Sequence, residues 1–204
     1  MRTYKFLLAF LVITFQSTTI QAQSISEIEP EIAIKSLSCD PLTSSFVIQG
    51  TSSLHDWEMT SNSCKGNLEY TNQEGSIDLE DITIKVGVTT LKSGKRVMDK
   101  KCYNALKHED YPNITYRLKK INSISNKGNS KYTASLSGSL DIAGVVKQVN
   151  IDVDIEQKNG VLNIKGSKPL KMTDYDVEPP TALLGTLKTG NEITIVFNLN
   201  FIVI

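Results

Sequence analysis

Three cysteines, two histidines and one tryptophan in 204 residues leave little of the chemistry that depends on such side chains. Cys39, Cys64 and Cys102 lie far apart, so the closely paired ligands of a structural zinc site are missing. A site built on the histidines would need His55 and His108 to converge with carboxylates such as Asp56 or Asp110, and no local spacing brings them together. No serine or cysteine stands in a Gly-x-Ser-x-Gly or similar nucleophile motif. The expectation is a non-catalytic protein without a metal or cofactor.

Net charge is missing too. The 22 basic residues balance 22 acidic ones, and a chain without a basic excess offers no footprint for a phosphate backbone, so nucleic acid is not an expected partner. Long apolar runs are equally scarce. The most pronounced, Phe6 to Phe15, is too short to span a bilayer and follows Arg2 and Lys5. It reads as the core of a signal peptide over residues 1–22 ending near Ala22, which implies a periplasmic or secreted protein. Without Arg2 and Lys5 the mature net charge would be about −2. Residues 23–204 suit one domain, and no later stretch suits a transmembrane helix.

What the sequence does contain is alternation. Ile82, Ile84, Val86 and Val88 alternate with Thr83, Lys85 and Gly87, and Val149, Ile151, Val153 and Ile155 alternate with polar residues. Tyr132, Ala134, Leu136, Leu140 and Ile142 repeat the pattern, as do Ile114, Tyr116 and Leu118, and Ile193, Ile195, Phe197, Leu199 and Phe201. Period-two apolarity marks half-buried antiparallel strands. Turn residues separate them at Asn126–Ser130, Ala143–Gly144, Lys158–Gly160 and Thr189–Asn191. Many short-linked strands with one apolar face indicate an all-β sandwich or up-and-down barrel.

Two segments depart from this pattern. Met98, Cys102, Ala105 and Leu106 have helical spacing, predicting a helix over residues 97–107 that ends before Tyr111-Pro112. Its apolar stripe could line a ligand entrance, but ordinary core packing is the expected role. Residues 168–187 combine Leu170, Met172, Val177, Leu183, Leu184 and Leu187 with Pro169, Pro179 and Pro180; they are expected to avoid long regular structure and to cover the barrel.

Four blocks in order resemble the YceI-like family: Gly50-Thr51-Ser52-Ser53-Leu54-His55-Asp56-Trp57; Thr89 to Gly94 running on through Met98-Asp99-Lys100-Lys101, Ala105-Leu106-Lys107 and Tyr111-Pro112; Gly138 to Val145; and Lys171 to Tyr175 with Pro179-Pro180-Thr181 and Gly185-Thr186-Leu187. The His55-Asp56-Trp57 form is similar to that of Bacteroidetes-type members. The resemblance implies a lipocalin-like antiparallel up-and-down β-barrel with one short helix, holding an apolar small molecule such as a polyisoprenoid or other lipid.

Inward positions on separate strands then become the expected ligand wall: Trp57, Ile84, Val86, Leu136, Leu140, Val153 and Phe197, with His55 either meeting a polar head group or serving only a structural role. Lys95, Arg96, Lys100 and Lys101 could attract an anionic head or form a solvated face. The alternative function is an interaction or stress-response barrel with a filled core and no ligand, and a homodimer stays open. A tight turn at Gly50–Ser53 would set Cys39 opposite Cys64, making these two the expected disulfide and leaving Cys102 reduced.

Overall fold

A computed structural model describes residues 33–73, 76–182 and 186–203; the expected leader lies outside them. The strands are β1 (Lys35–Cys39), β2 (Ser45–Ser52), β3 (Trp57–Ser61), β4 (Cys64–Gln73), β5 (Ser76–Gly87), β6 (Asn113–Gly128), β7 (Lys131–Ile142), β8 (Val145–Lys158), β9 (Val161–Lys171), β10 (Thr181–Ala182) and β11 (Leu187–Ile202). One α-helix, α1 (Arg96–Ala105), follows β5. Eight strands close an antiparallel barrel in the order β1, β4, β5, β6, β7, β8, β9, β11, with β11 returning to β1. The hairpin of β2 and β3 continues the wall beyond β1, because β11 pairs with β1 at Phe201 and Ile202 and with β2 from Thr189 to Asn198. The lipocalin-like barrel with one helix is therefore the observed fold.

Alternation is clearest in β7, where Tyr132, Ala134, Leu136, Leu140 and Ile142 are all buried. Tight turns keep the strands in register. Ala143 and Gly144 have φ of 52° and 83°, and Asn159 and Gly160 have 52° and 79°. Two successive left-handed residues match the twist of a two-residue hairpin. In β5 the buried positions switch parity, from Ile77 and Leu79 to Ile82, Ile84 and Val86. The cause is a bulge: Glu69 faces Asp81 while the next residue, Tyr70, faces Leu79, leaving Glu80 as the extra residue. The pairing of β6 with β5 ends at Arg117, opposite Thr83, whereas its pairing with β7 continues to Gly128.

Three local expectations are corrected. Thr189–Asn191 is part of β11, bulged between the pairs Thr189–Ser52 and Ile193–Gly50, so the extra length is absorbed within the strand. Residues 168–187 are partly regular. β9 runs through Pro169 to Lys171, tolerating the proline because β8 has already stopped pairing at Val153–Gly166 and no ladder bond is required on that side. Beyond β9, Met172 to Tyr175 form a 3-10 turn whose Met172 and Tyr175 are buried with Val177, as a cover should be. Finally, Gly50 pairs with Trp57 and not Ser53. The turn sits two residues later because Ser52 closes it, with its hydroxyl donating to the His55 carbonyl at 2.7 Å and accepting from the Leu54 and His55 amides.

Candidate functional site

One end of the barrel holds a cavity of about 350 Å³. Ile48 of β2, Met59 of β3, Ile142 of β7, Leu170 of β9 and Ile193 of β11 form its strand wall. Met98, Cys102 and Ala105 of α1 form a second wall, and Met172, Tyr175, Val177 and Pro180 close a third. The stripe expected to be ordinary core packing therefore faces a space between the helix and the strand ends.

Local hydrogen bonds hold this helix over the opening. The hydroxyl and backbone amide of Ser93 both donate to Oδ1 of Asp99, at 2.6 and 2.8 Å, in the first turn of α1. Burial pushes the Asp99 carboxyl up, but the Ser93 bonds and the nearby Lys92 charge together keep it below its ordinary value of 3.8. Further along, the Tyr103 hydroxyl donates to the Leu91 carbonyl at 2.7 Å and accepts from Lys92 Nζ at 2.7 Å. Lys92 is itself docked on β3 through reciprocal 2.9 Å bonds with Thr60. Helix, loop and β3 are thereby joined on one side of the cavity. Across the mouth, Lys101 Nζ donates to the Thr181 carbonyl at 2.5 Å.

Trp57 lines the cavity and is half-buried. Its ring lies over Gly50, where a Cβ would approach it to 2.3 Å, so glycine is required for this placement. The indole N–H donates to the Thr51 carbonyl at 2.8 Å, leaving an apolar ring surface for the cavity. His55 also reaches the lining but is exposed. Its Nδ1 lies 2.6 Å from the Asp56 carbonyl, which can only accept, fixing the proton on Nδ1.

The other expected wall residues lie elsewhere. Ile84, Leu136, Val153 and Phe197 surround a void of only about 40 Å³ in the barrel interior, together with Tyr116, Phe201 and other large side chains. Val86 and Leu140 are buried and border neither space. Of the residues singled out as a wall, the structure thus places Trp57 on the larger cavity. Met98, Cys102 and Ala105 carried a visible signal in their helical spacing; Met172, Tyr175 and Val177 carried one only as an apolar covering segment.

The cysteines divide similarly. Cys102 borders the cavity, and burial followed by the Asp99 charge pushes its thiol up to about 12, so it is a poor nucleophile. Cys39 and Cys64 are buried outside the cavity with free thiols in contact. Contact with Cys64 lowers the Cys39 thiol despite its burial, while the same contact, burial and the neighbouring thiolate raise Cys64. Their proximity does not arise from the hairpin register drawn from the sequence. Cys39 ends β1, which pairs with β4 through Ser38–Asn67, so Cys64 lies diagonally across from it. Among the described residues, no cluster of three or more His, Cys, Asp or Glu is arranged to hold a metal.

Comparison with solved structures finds the same fold at low identity. Burkholderia cenocepacia BcnA is 17% identical, with a TM-score of 0.62 over 79% of this chain and 98% of its own. A polyisoprenoid binding domain from Saccharophagus degradans is 12% identical, with a TM-score of 0.64 over 85% of this chain and 100% of its own. The YCEI protein of Campylobacter jejuni is 16% identical, with a TM-score of 0.53 over 68% and 80%. Comparison with curated proteins finds no match. The model of the YceI-like domain matches residues 37–201, spanning the barrel from β1 to β11, and the chain belongs to that family.

Proposed function

We propose that this protein is an exported, non-catalytic carrier whose cavity beneath α1 holds the end of a long apolar molecule, an isoprenoid or another lipid. The observation that carries this reading is the cavity itself: about 350 Å³, walled by Ile48, Trp57, Met59, Met98, Leu170 and Met172. That size and apolar character suit a small-molecule pocket. A ligand burying roughly 300 Å² of apolar surface would gain about 7 kcal/mol before association costs, without needing an ion pair. The binding named for the Saccharophagus degradans domain supports the same class of occupant. Export rests on the apolar segment from Phe6 to Phe15 behind Arg2 and Lys5.

A second reading has one observation in its favour. Among Ile84, Leu136, Phe197 and Phe201 the interior holds a void of only about 40 Å³, as expected of a barrel that acts through its surface. Mass spectrometry of an organic extract from protein purified without detergent separates the two. The carrier reading expects a co-purifying lipid in the wild type and its loss in Ala105→Phe, which fills the space beside α1. An empty extract, together with no uptake of added apolar probes, would favour the surface-acting barrel.

A further inference from the structure

The charges around the cavity are sorted by sign. Lys95, Lys101 and Lys188 lie in its lining, with His55 as a further nitrogen donor or acceptor, and among the described residues no aspartate or glutamate lines it. Asp56, Glu58, Asp174 and Glu192 open instead, with the single base Lys171, onto an outer groove that shares Trp57, Leu170 and Ile193 with the cavity. Among the described residues the ion pair found is Lys131–Glu156, so no carboxylate neutralises the three lysines. Lys95, Lys101 and Lys188 are exposed, which places their ammonium groups at the edge of the opening. Lys101 is positioned there by its bond to the Thr181 carbonyl, which uses one of its three donors.

An apolar interior below an unneutralised cationic rim is complementary to one kind of molecule. We infer that the occupant is a single-chain amphiphile with an anionic head, its tail beneath α1 and its carboxylate or phosphate among Lys95, Lys101 and Lys188. The inference rests on the carrier reading and adds the chemistry of the head. A neutral chain would take the apolar contacts alone. A cationic head would meet like charge at the rim.

The chain has one tryptophan, Trp57, and it lines the cavity, so its fluorescence can report occupancy. Dodecanoate, dodecyl phosphate, dodecan-1-ol and dodecyltrimethylammonium are titrated below their aggregation limits at low salt. Three exposed charge contacts should favour an anionic head over the alcohol by roughly tenfold. That preference should fall with added salt, and the ammonium compound should bind weakest. The tighter of the two anionic probes identifies the head group. In a Lys95→Gln, Lys101→Gln, Lys188→Gln variant the preference should disappear while dodecan-1-ol binding stays unchanged. A control carrying Lys119→Gln, Lys127→Gln and Lys158→Gln, all exposed and outside the cavity lining, makes the same change in net charge and should keep it.

Equal binding of dodecanoate and dodecan-1-ol by the wild type would overturn the anionic head and leave the carrier reading standing. Loss of preference in the control as great as in the rim variant would assign it to net charge and overturn the role of the rim. Binding of none of the four probes would overturn the carrier reading and this inference with it.

Discussion

The barrel interior and the end beneath α1 share β7, β9 and β11 in their walls, yet one is solid and the other open. Around the small interior void, every wall is a β-strand. Inward side chains such as Leu136, Ile151, Val153, Ile164, Leu199 and Phe201 approach at regular spacing and interdigitate to leave about 40 Å³. At the open end the opposing surfaces are strand ends, a helix and an irregular segment, whose side chains project at unrelated angles. Space remains where the periodicities of facing elements do not match. Both regions are mainly apolar below the charged rim of the cavity, so apolar composition alone does not produce a cavity.

Truncating the same kind of side chain in each region should sharpen this difference. Leu199→Ala, in a side chain with 5% exposure, should cost about 4 kcal/mol because the close-packed interior cannot collapse around the loss. Leu170→Ala borders space that already exists and should cost about 1 kcal/mol. Urea unfolding measures both, and equal losses would show that the two regions are equally packed.

The next effect belongs to the buried pair outside the cavity. Export into an oxidising compartment should join Cys39 to Cys64, stabilising the fold by about 3 kcal/mol over its reduced form. Non-reducing peptide mapping should find Cys102 unpaired. A Cys64–Cys102 bond, or three free thiols after export, would contradict this assignment.

The smallest effect tests the cover over the open end. Asp99→Asn weakens the acceptor for Ser93 at the start of α1 and should cost about 1 kcal/mol at neutral pH. Because the folded carboxyl is held below its ordinary value of 3.8, its stabilisation is complete above that value and disappears as pH falls through the lower folded one. The difference in thermal midpoint between wild type and variant should therefore close in acid. A gap that persists there would show that the charge of Asp99 is not what holds the helix.

Alternation along β7 and β8 made the barrel legible, because each inward residue repeats every second position whatever lies beyond the strand. It could not show the parity switch at Glu80, since a bulge is set by the partner strand as much as by its own residues. The Cys39–Cys64 proximity was legible in outcome but not in cause: the sequence register assumed one hairpin, while the contact crosses from β1 to β4. Trp57, expected as a wall residue, borders the cavity. The contributions of Met98, Cys102 and Ala105 depend on how closely α1 approaches the strand ends, a distance that helical periodicity does not encode.

The early end of the β5–β6 pairing has a consequence for crowding. Beyond Arg117, β6 runs to Gly128 with β7 on one side and no β5 ladder on the other, leaving a row of backbone groups on which another extended chain could polymerise. That row carries Lys119, Lys120 and Lys127, and its register with β7 is broken between Leu118 and Lys120, Ile121 and Ser123, and Asn126 and Gly128. An incoming strand would have to follow three kinks while bringing its own charges against these lysines. The irregularity of β6 thus disfavours the addition of another strand along this stretch.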